Sequence, residues 1–120
     1  MSPSANFWRN KQVIVTGSNG FVGKHLADRL ISMGADVIRV SRGSGHALDV
    51  TDRMSLTPLF EKKPSVVFHL AGESLVENGQ DHPYETFHTN FTGTLNILEL
   101  SRIFHIPRVI IASTAHVYGE

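Results

Sequence analysis

The chain has 120 residues, 41% of them hydrophobic, enough for one modest domain with a core and too few for two full-sized ones. Eleven basic residues balance eleven acidic ones, which removes the electrostatic case for a nucleic-acid or membrane-surface partner. There is no cysteine, so disulfide scaffolds, thiolate metal sites and thiol nucleophiles are excluded. No apolar run approaches the roughly 18 residues of a membrane span. Met1 to Trp8 lack the basic-then-apolar layout of a signal peptide. The expectation is a cytoplasmic protein.

Residues 1–11 read as a lead-in and 12–120 as a single domain. Gln12-Val13-Ile14-Val15-Thr16 is a β-branched apolar run, predicted to be the first strand. From Gly20 to Met33 the spacing is helical: Val22, Leu26, Leu30 and Met33 share a face, and Gly34 stands where a helix C-terminal glycine belongs. Val37 to Val40 is the second strand and Arg42 to Gly45 a glycine-serine loop. A short helix is expected between Thr51 and Lys62, starting late or bent because of Pro58. Val66 to Leu70 is a buried-type strand, and Ala71 to His82 a small, polar loop. Pro83 opens a long helix reaching about Phe104, with Phe87, Phe91, Leu95 and Leu98 at helical spacing. Arg108 to Ser113 is a further apolar strand, patterned for burial on both faces. Strands alternating with helices imply a parallel sheet with crossover connections. The predicted fold class is α/β, a Rossmann-type doubly wound sheet in the order 3-2-1-4-5, with a ligand crevice where the order reverses.

The sharpest local signal is Thr16-Gly17-Ser18-Asn19-Gly20-Phe21-Val22-Gly23, a G-x-x-G-x-x-G pattern between a predicted strand and a predicted helix. Gly17 permits the tight turn, Gly20 lets backbone approach a pyrophosphate, and Gly23 lets the helix pack close to the sheet. The helix N-terminus then offers N–H groups and partial positive charge to the phosphates. Ser41 and Arg42 stand at the carboxyl end of the second strand, where a guanidinium would pair with a ribose 2′-phosphate and favour NADP(H) over NAD(H). Asp49 has two readings: an acceptor for the adenine amino group, or a turn and helix-capping residue alongside Thr51 and Asp52. The seven histidines show no metal-ligand spacing, so no metal site is expected. Glu73 and Glu77 share a loop but make no acid/base pair by sequence alone.

Together these residues resemble the extended short-chain dehydrogenase/reductases, the NAD(P)-dependent nucleotide-sugar epimerase/dehydratase group. Thr16 to Gly23 with Leu26 is similar to the group's glycine loop. Asp49-Val50-Thr51-Asp52 is similar to its adenine segment, and Val67 to Gly72 to its V-[IVF]-H-L-A-[AG] strand end. Ser113 to Gly119 is similar to its S-[ST]-x-x-[VL]-Y-G turn, and Phe87 to Glu99, with Asn90, Gly93 and Asn96, to a family helix. The resemblance implies that Gly17, Asn19, Gly20, Phe21 and Val22 cradle the pyrophosphate and that Asp49 and Val50 flank the adenine. It implies that Leu70, Ala71 and Gly72 lie along the cofactor. Thr114 matches the catalytic Ser/Thr that hydrogen-bonds the reacting sugar oxygen.

The implied activity is hydride transfer at a sugar carbinol carbon, with a dinucleotide and a nucleotide sugar as partners. Ala115-His116 follow Thr114 where dehydratase relatives carry an acid, so that motif is closer to the epimerases, whereas Phe7-Trp8 and the stretch around Val76 and Pro83 resemble the sugar-nucleotide dehydratases; the subfamily stays open. The family's Tyr-x-x-x-Lys pair should follow Thr114 by about 25 residues, and neither Tyr84 nor Tyr118 has a lysine four positions on. The expectation is therefore an amino-terminal, cofactor-binding half, incomplete before the Tyr-Lys helix and without turnover of its own. The competing reading is a non-catalytic NAD(P)-binding sensor or interaction module. The stripe Phe87, Phe91, Leu95, Leu98 reads as core or dimer surface, and a homo-oligomer is expected.

Overall fold

The computed structural model describes residues 7–18, 20–41, 44–45, 49–70 and 83–112. Four strands run parallel: β1 (Gln12–Thr16), β2 (Asp36–Ser41), β4 (Val66–His69) and β5 (Arg108–Ile111). A two-residue strand, β3 (Ser44–Gly45), pairs antiparallel with the end of β2. The sheet order is β3-β2-β1-β4-β5. Helices α1 (Phe21–Ser32), α2 (Arg53–Glu61) and α3 (Pro83–Ile103) lie between the strands in sequence. The expected Rossmann-type order is therefore the order adopted. Its third position is filled by Ser44–Gly45, inside the stretch expected to be only a loop.

The β-branched run of β1 occupies the middle of the sheet because it can be covered on both faces. Val13 and Val15 point into a cluster with Leu30, Ala35, Val66 and Phe68, while Ile14 joins Val40, Leu56, Phe60, Val67, Ile97 and Leu100. Helix α1 thus covers one face, and α2 with α3 the other. Residues 7–11 belong to the first layer. Trp8 packs against that cluster, its ring 6.1 Å from Phe68. The N–H of Asp36 donates to the Lys11 carbonyl at 2.8 Å, which extends the β1–β2 ladder back by one residue.

Helix α1 ends as its sequence dictates. Gly34 takes φ +90°, its N–H donates to the Ile31 carbonyl, and the N–H of Ala35 donates to that of Leu30, a Schellman closure. The inward face departs from the expected one at its start: Gly23, Ala27 and Leu30 are buried, and Val22 is 64% exposed. The first turn reaches past the covered part of the sheet, so Val22 has no core to enter.

Three further expectations are corrected. Helix α2 does not start late, since it runs from Arg53 through Pro58 to Glu61. Proline removes the bond to the carbonyl one turn back, that of Met54, a residue of the exposed first turn. The stripe Phe87, Phe91, Leu95, Leu98 is not core: these side chains are 44–66% exposed. Helix α3 is apolar on two sides, and it turns Gly93, Ile97, Leu100 and Ser101 inward instead. Strand β5 ends at Ile111 rather than Ser113; patterned for burial on both faces, it is left under-protected as an edge of the described sheet, with Ile110 and Ile111 exposed.

The two faces of α3 separate in a direct comparison. Ile97→Ala, which empties a fully buried site, is expected to lower the unfolding free energy by about 2–5 kcal/mol. Leu98→Ala, one position on, should lower it by less than about 1 kcal/mol. Urea titration of both variants, followed by circular dichroism, measures the difference.

Candidate functional site

The parallel register brings Thr16 level with Val40 on one side and His69 on the other, and His69 level with Ile111. The carboxyl ends of β1, β2 and β4 therefore share one rim, where the chain leaves β1 for α1. Gly17 makes the exit at φ +71°, a conformation L side chains rarely adopt. Its N–H donates to the Val40 carbonyl at 2.8 Å, the N–H of Ser18 approaches the same oxygen at 3.4 Å, and the N–H of Gly20 donates to the Gly17 carbonyl at 3.0 Å.

The other two glycines of the motif differ in what the fold asks of them. A Cβ on Gly23 would stand 2.0 Å from the Gly17 carbonyl oxygen and 3.1 Å from the Ser18 Cα, so any side chain there would lever α1 off the turn. Among the described residues, a Cβ on Gly20 would meet only the Gly17 carbonyl oxygen, at 3.4 Å, and the backbone there has an ordinary φ of −72°. None of the described residues requires a glycine at position 20. Gly20 is the N-cap of α1, makes no side-chain cap, and is followed by no acidic residue in the first turn. Among the described residues, the first N–H groups of α1 and its positive dipole end thus have no compensating side chain, the arrangement that suits an anion. Phe21 and Val22, both exposed, flank this opening, with the Phe21 ring edge-on to His25.

Two buried polar groups line the same rim. Ser18 is 2% exposed, and its Oγ has no hydrogen-bond partner among the described residues. Such a group costs a fold about 1–3 kcal/mol. Thr16 and His69, both buried, meet at 2.8 Å between Oγ1 and Nδ1, and the N–H of Leu70 donates to the same Thr16 Oγ1 at 3.0 Å. One hydroxyl thus ties the end of β1 to the end of β4 and to the first residue beyond it. Burial pushes the His69 imidazole down from 6.5 to about 4, so the ring is neutral at pH 7. A neutral ring accepting the Thr16 O–H at Nδ1 carries its own proton on Nε2.

The segment after β3 is held from α3. The side-chain amide of Asn96 donates to the Val50 carbonyl at 2.9 Å, and a Cβ on Gly93 would stand 2.7 Å from Val50 Cγ2 and 4.0 Å from the His69 ring. Val50 is buried in the core rather than displayed. Asp49 makes the turn foreseen as its second reading: its Oδ1 accepts from the N–H of Thr51 at 2.9 Å and from the Thr51 hydroxyl at 2.8 Å.

Of the residues singled out in the sequence, the fold collects Gly17, Gly20, Phe21, Val22, Gly23, Ser41, Val50 and Leu70 around the ends of β1, β2 and β4. Asn19, Arg42, Ala71, Gly72 and Thr114 lie outside the described residues, as do Glu73, Glu77, His46, His82 and His116. Sequence reasoning missed the Thr16 hydroxyl, the Ser18 hydroxyl and the holding roles of Gly93 and Asn96. The spacing of Gly93 and Asn96 was visible as a helix motif; what they touch lies some 45 residues away in sequence and leaves no local signal. Among the described residues no group of three His, Asp or Glu side chains is placed to hold a metal ion, and no helix is long and apolar enough to cross a membrane.

A glycine turn at the switch point, a helix start without a side-chain cap and, among the described residues, room for a Cβ at Gly20 are features of a dinucleotide site. Comparison with known sequences decides the family: the profile of the NAD dependent epimerase/dehydratase family matches residues 13–120. The chain belongs to this family. It is 33% identical to CDP-glucose 4,6-dehydratase of Salmonella typhimurium, over 96% of this chain and 37% of that enzyme. It is 31% identical to UDP-glucose 4-epimerase of Streptococcus mutans, over 89% of this chain and 37% of the relative. Among solved structures, Thermus thermophilus UDP-glucose 4-epimerase in complex with NAD superposes with a TM-score of 0.78 at 28% identity, covering 86% of this chain and 37% of that one. This epimerase/dehydratase-family chain thus spans less than two-fifths of each of these three relatives.

The buried histidine makes stability depend on pH. Because the folded-state pKa is below the unfolded one, the unfolded chain takes up the proton first as pH falls. Stability is complete above about pH 6.5 and is lost progressively down to about pH 4, by roughly 3 kcal/mol from this group. Urea unfolding at pH 7 and pH 4.5 should show that loss, and His69→Asn should flatten the slope between them.

Proposed function

We propose that this chain is the NAD(P)-binding portion of a nucleotide-sugar epimerase/dehydratase. The observation that carries the reading is the asymmetry of the glycines. Gly23 is demanded by the packing of α1 on the turn, whereas a Cβ on Gly20 would make no contact closer than 3.4 Å among the described residues. A ligand whose backbone-close phosphates lie there explains the glycine. Gly17, Asn19, Gly20, Phe21 and Val22 hold the pyrophosphate against the α1 N-terminus, with Gly23 giving the helix its approach. Ser41, with Arg42 beside it in sequence, is assigned to the adenosine ribose and Asp49 to the adenine, with Val50 behind it in the core; Leu70, with Ala71 and Gly72 after it in sequence, is assigned to the nicotinamide side.

The bound dinucleotide supplies a hydride acceptor and donor. Thr114, by its place in the S-[ST]-x-x-[VL]-Y-G motif, hydrogen-bonds the oxygen of the reacting carbon. The matched relatives are enzymes by name, which favours this reading over a non-catalytic sensor.

Calorimetric titration with NAD⁺ and NADP⁺ tests the reading. Gly20→Val should abolish binding of both while the unfolding midpoint stays within error of wild type. Gly23→Ala should instead lower the unfolding free energy by at least about 2 kcal/mol, because the clash is with backbone. Unchanged affinity in a folded Gly20→Val variant refutes the site. Arg42→Ala should weaken NADP⁺ by about 1–3 kcal/mol more than NAD⁺ if the guanidinium meets the 2′-phosphate. Equal losses would assign Arg42 no part in reading the 2′ position.

A further inference from the structure

We propose that the amino-terminal rim of the sheet, centred on Phe7 with Lys11 and Arg108 over its ring, is a docking surface for an acidic polypeptide segment. This rim is at the opposite end of the strands from the glycine turn and carries none of the residues assigned to a dinucleotide. One ring there collects two like charges. The Lys11 Nζ lies 4.8 Å from the Phe7 ring centroid, and the Arg108 Cζ lies 5.9 Å from the same centroid. Cation–π attraction explains why each is held at the ring. It leaves the repulsion between them, which a carboxylate would relieve. Among the described residues no carboxylate pairs with either; the ion pairs there are Arg39–Asp28 and Arg102–Glu99.

The backbone marks the same rim. Each of the four parallel strands is preceded by a residue in the left-handed conformation: Asn10 at φ 64°, Gly34 at 90°, Lys63 at 53° and His105 at 55°. Glycine or asparagine is the unstrained choice at such positions. Positions 10 and 34 have them, whereas position 63 has a lysine, directly after Lys62. The N–H of Ser65 donates to the Gln12 carbonyl at 2.8 Å, so the entrance of β4, with its two lysines, lies next to the entrance of β1, with Lys11. The C-terminal dipole of α2 accounts for Lys62 at its C-cap. It does not account for Lys11 or Arg108, which stand at the entrances of strands.

The charge pattern selects an acidic peptide over a nucleic acid. Asp36 at the start of β2 and Glu61 at the end of α2, both exposed, flank the cations and would repel a continuous phosphate backbone. A segment with a few carboxylates and one apolar side chain fits between them. Its carboxylates meet Lys11, Lys63 and Arg108, and its apolar side chain meets Phe7, which is 41% exposed. The surface is also preorganised. Phe7 stands edge-on to Trp8 at 4.9 Å, and Trp8 packs on the core at Phe68, so the ring is fixed to the sheet and its cations lose little freedom on binding.

Titration of the 120-residue chain with a short glutamate-rich peptide carrying one central leucine, followed by amide chemical shifts, tests the proposal. Saturable shifts are expected at Lys11, Lys63 and Arg108, weakening as salt is added. Lys11→Gln/Arg108→Gln should lower the peptide affinity about tenfold with the urea midpoint unchanged. Lys24→Gln, which removes a cation near the glycine turn, should bind the peptide as wild type does. Undiminished affinity in the double variant overturns the proposal, as does an equal loss in Lys24→Gln. So do shifts centred on Gly17 and Gly20, tighter binding of a short single-stranded oligonucleotide than of the peptide, or no saturable shift in wild type.

Discussion

The contact on which the site depends is the approach of α1 to the turn after β1. With hydrogen alone at position 23, the helix lies against the Gly17 carbonyl, and a methyl group would have to occupy space 2.0 Å from that oxygen. The approach sets where α1 begins, and so where its unpaired N–H groups point. It also leaves Ser18 enclosed between the turn and the end of β2. Glycines separated by three residues thus serve opposite ends: one lets protein meet protein, the other leaves room for something else.

A second constraint holds the rim together. The Thr16 hydroxyl bridges strands 53 residues apart in sequence, through His69, and also takes the first amide beyond β4. The imidazole is desolvated and neutral, a state that charge would disrupt, so rim geometry and protonation are linked. On the far side, Gly93 and Asn96 of α3 fix Val50 and its carbonyl. Each of these side chains acts on backbone at the carboxyl ends of the strands, where a doubly wound sheet binds its ligand.

The fold was legible where a local rule determines it. The β-branched run of β1, the glycine closure after α1 and the alternation of strands with helices all follow from short-range chemistry, and each is present. Legibility failed where two local patterns compete. Helix α3 carries Phe91, Leu95 and Leu98 on one side and Ile97, Leu100 and Phe104 on another; periodicity cannot say which side the sheet takes. The small residue Gly93 decides it, because only that side lets the helix close on Val50 and His69. At the site, the turn glycines were legible because conformation is a local property. The Thr16–His69 bridge, the Asn96–Val50 bond and the Ser18 hydroxyl, without a partner among the described residues, were not, because hydrogen-bond pairing is settled by tertiary neighbours. Asp49 was read correctly only as one of two possibilities, since a side chain that bonds two residues on also has the chemistry to meet a base.

The central claim is that the turn at Gly20, at the switch point of the sheet, receives a dinucleotide. Amide chemical-shift mapping during titration with NAD⁺ tests it most directly. The account predicts that the largest changes fall on Gly17, Ser18, Gly20, Phe21 and Val22, with further changes at Ser41 and Leu70. The amides of Lys11, Lys63 and His105, at the opposite end of the strands, should stay still. Saturable shifts centred on that opposite end, with the glycine turn unmoved, would contradict it.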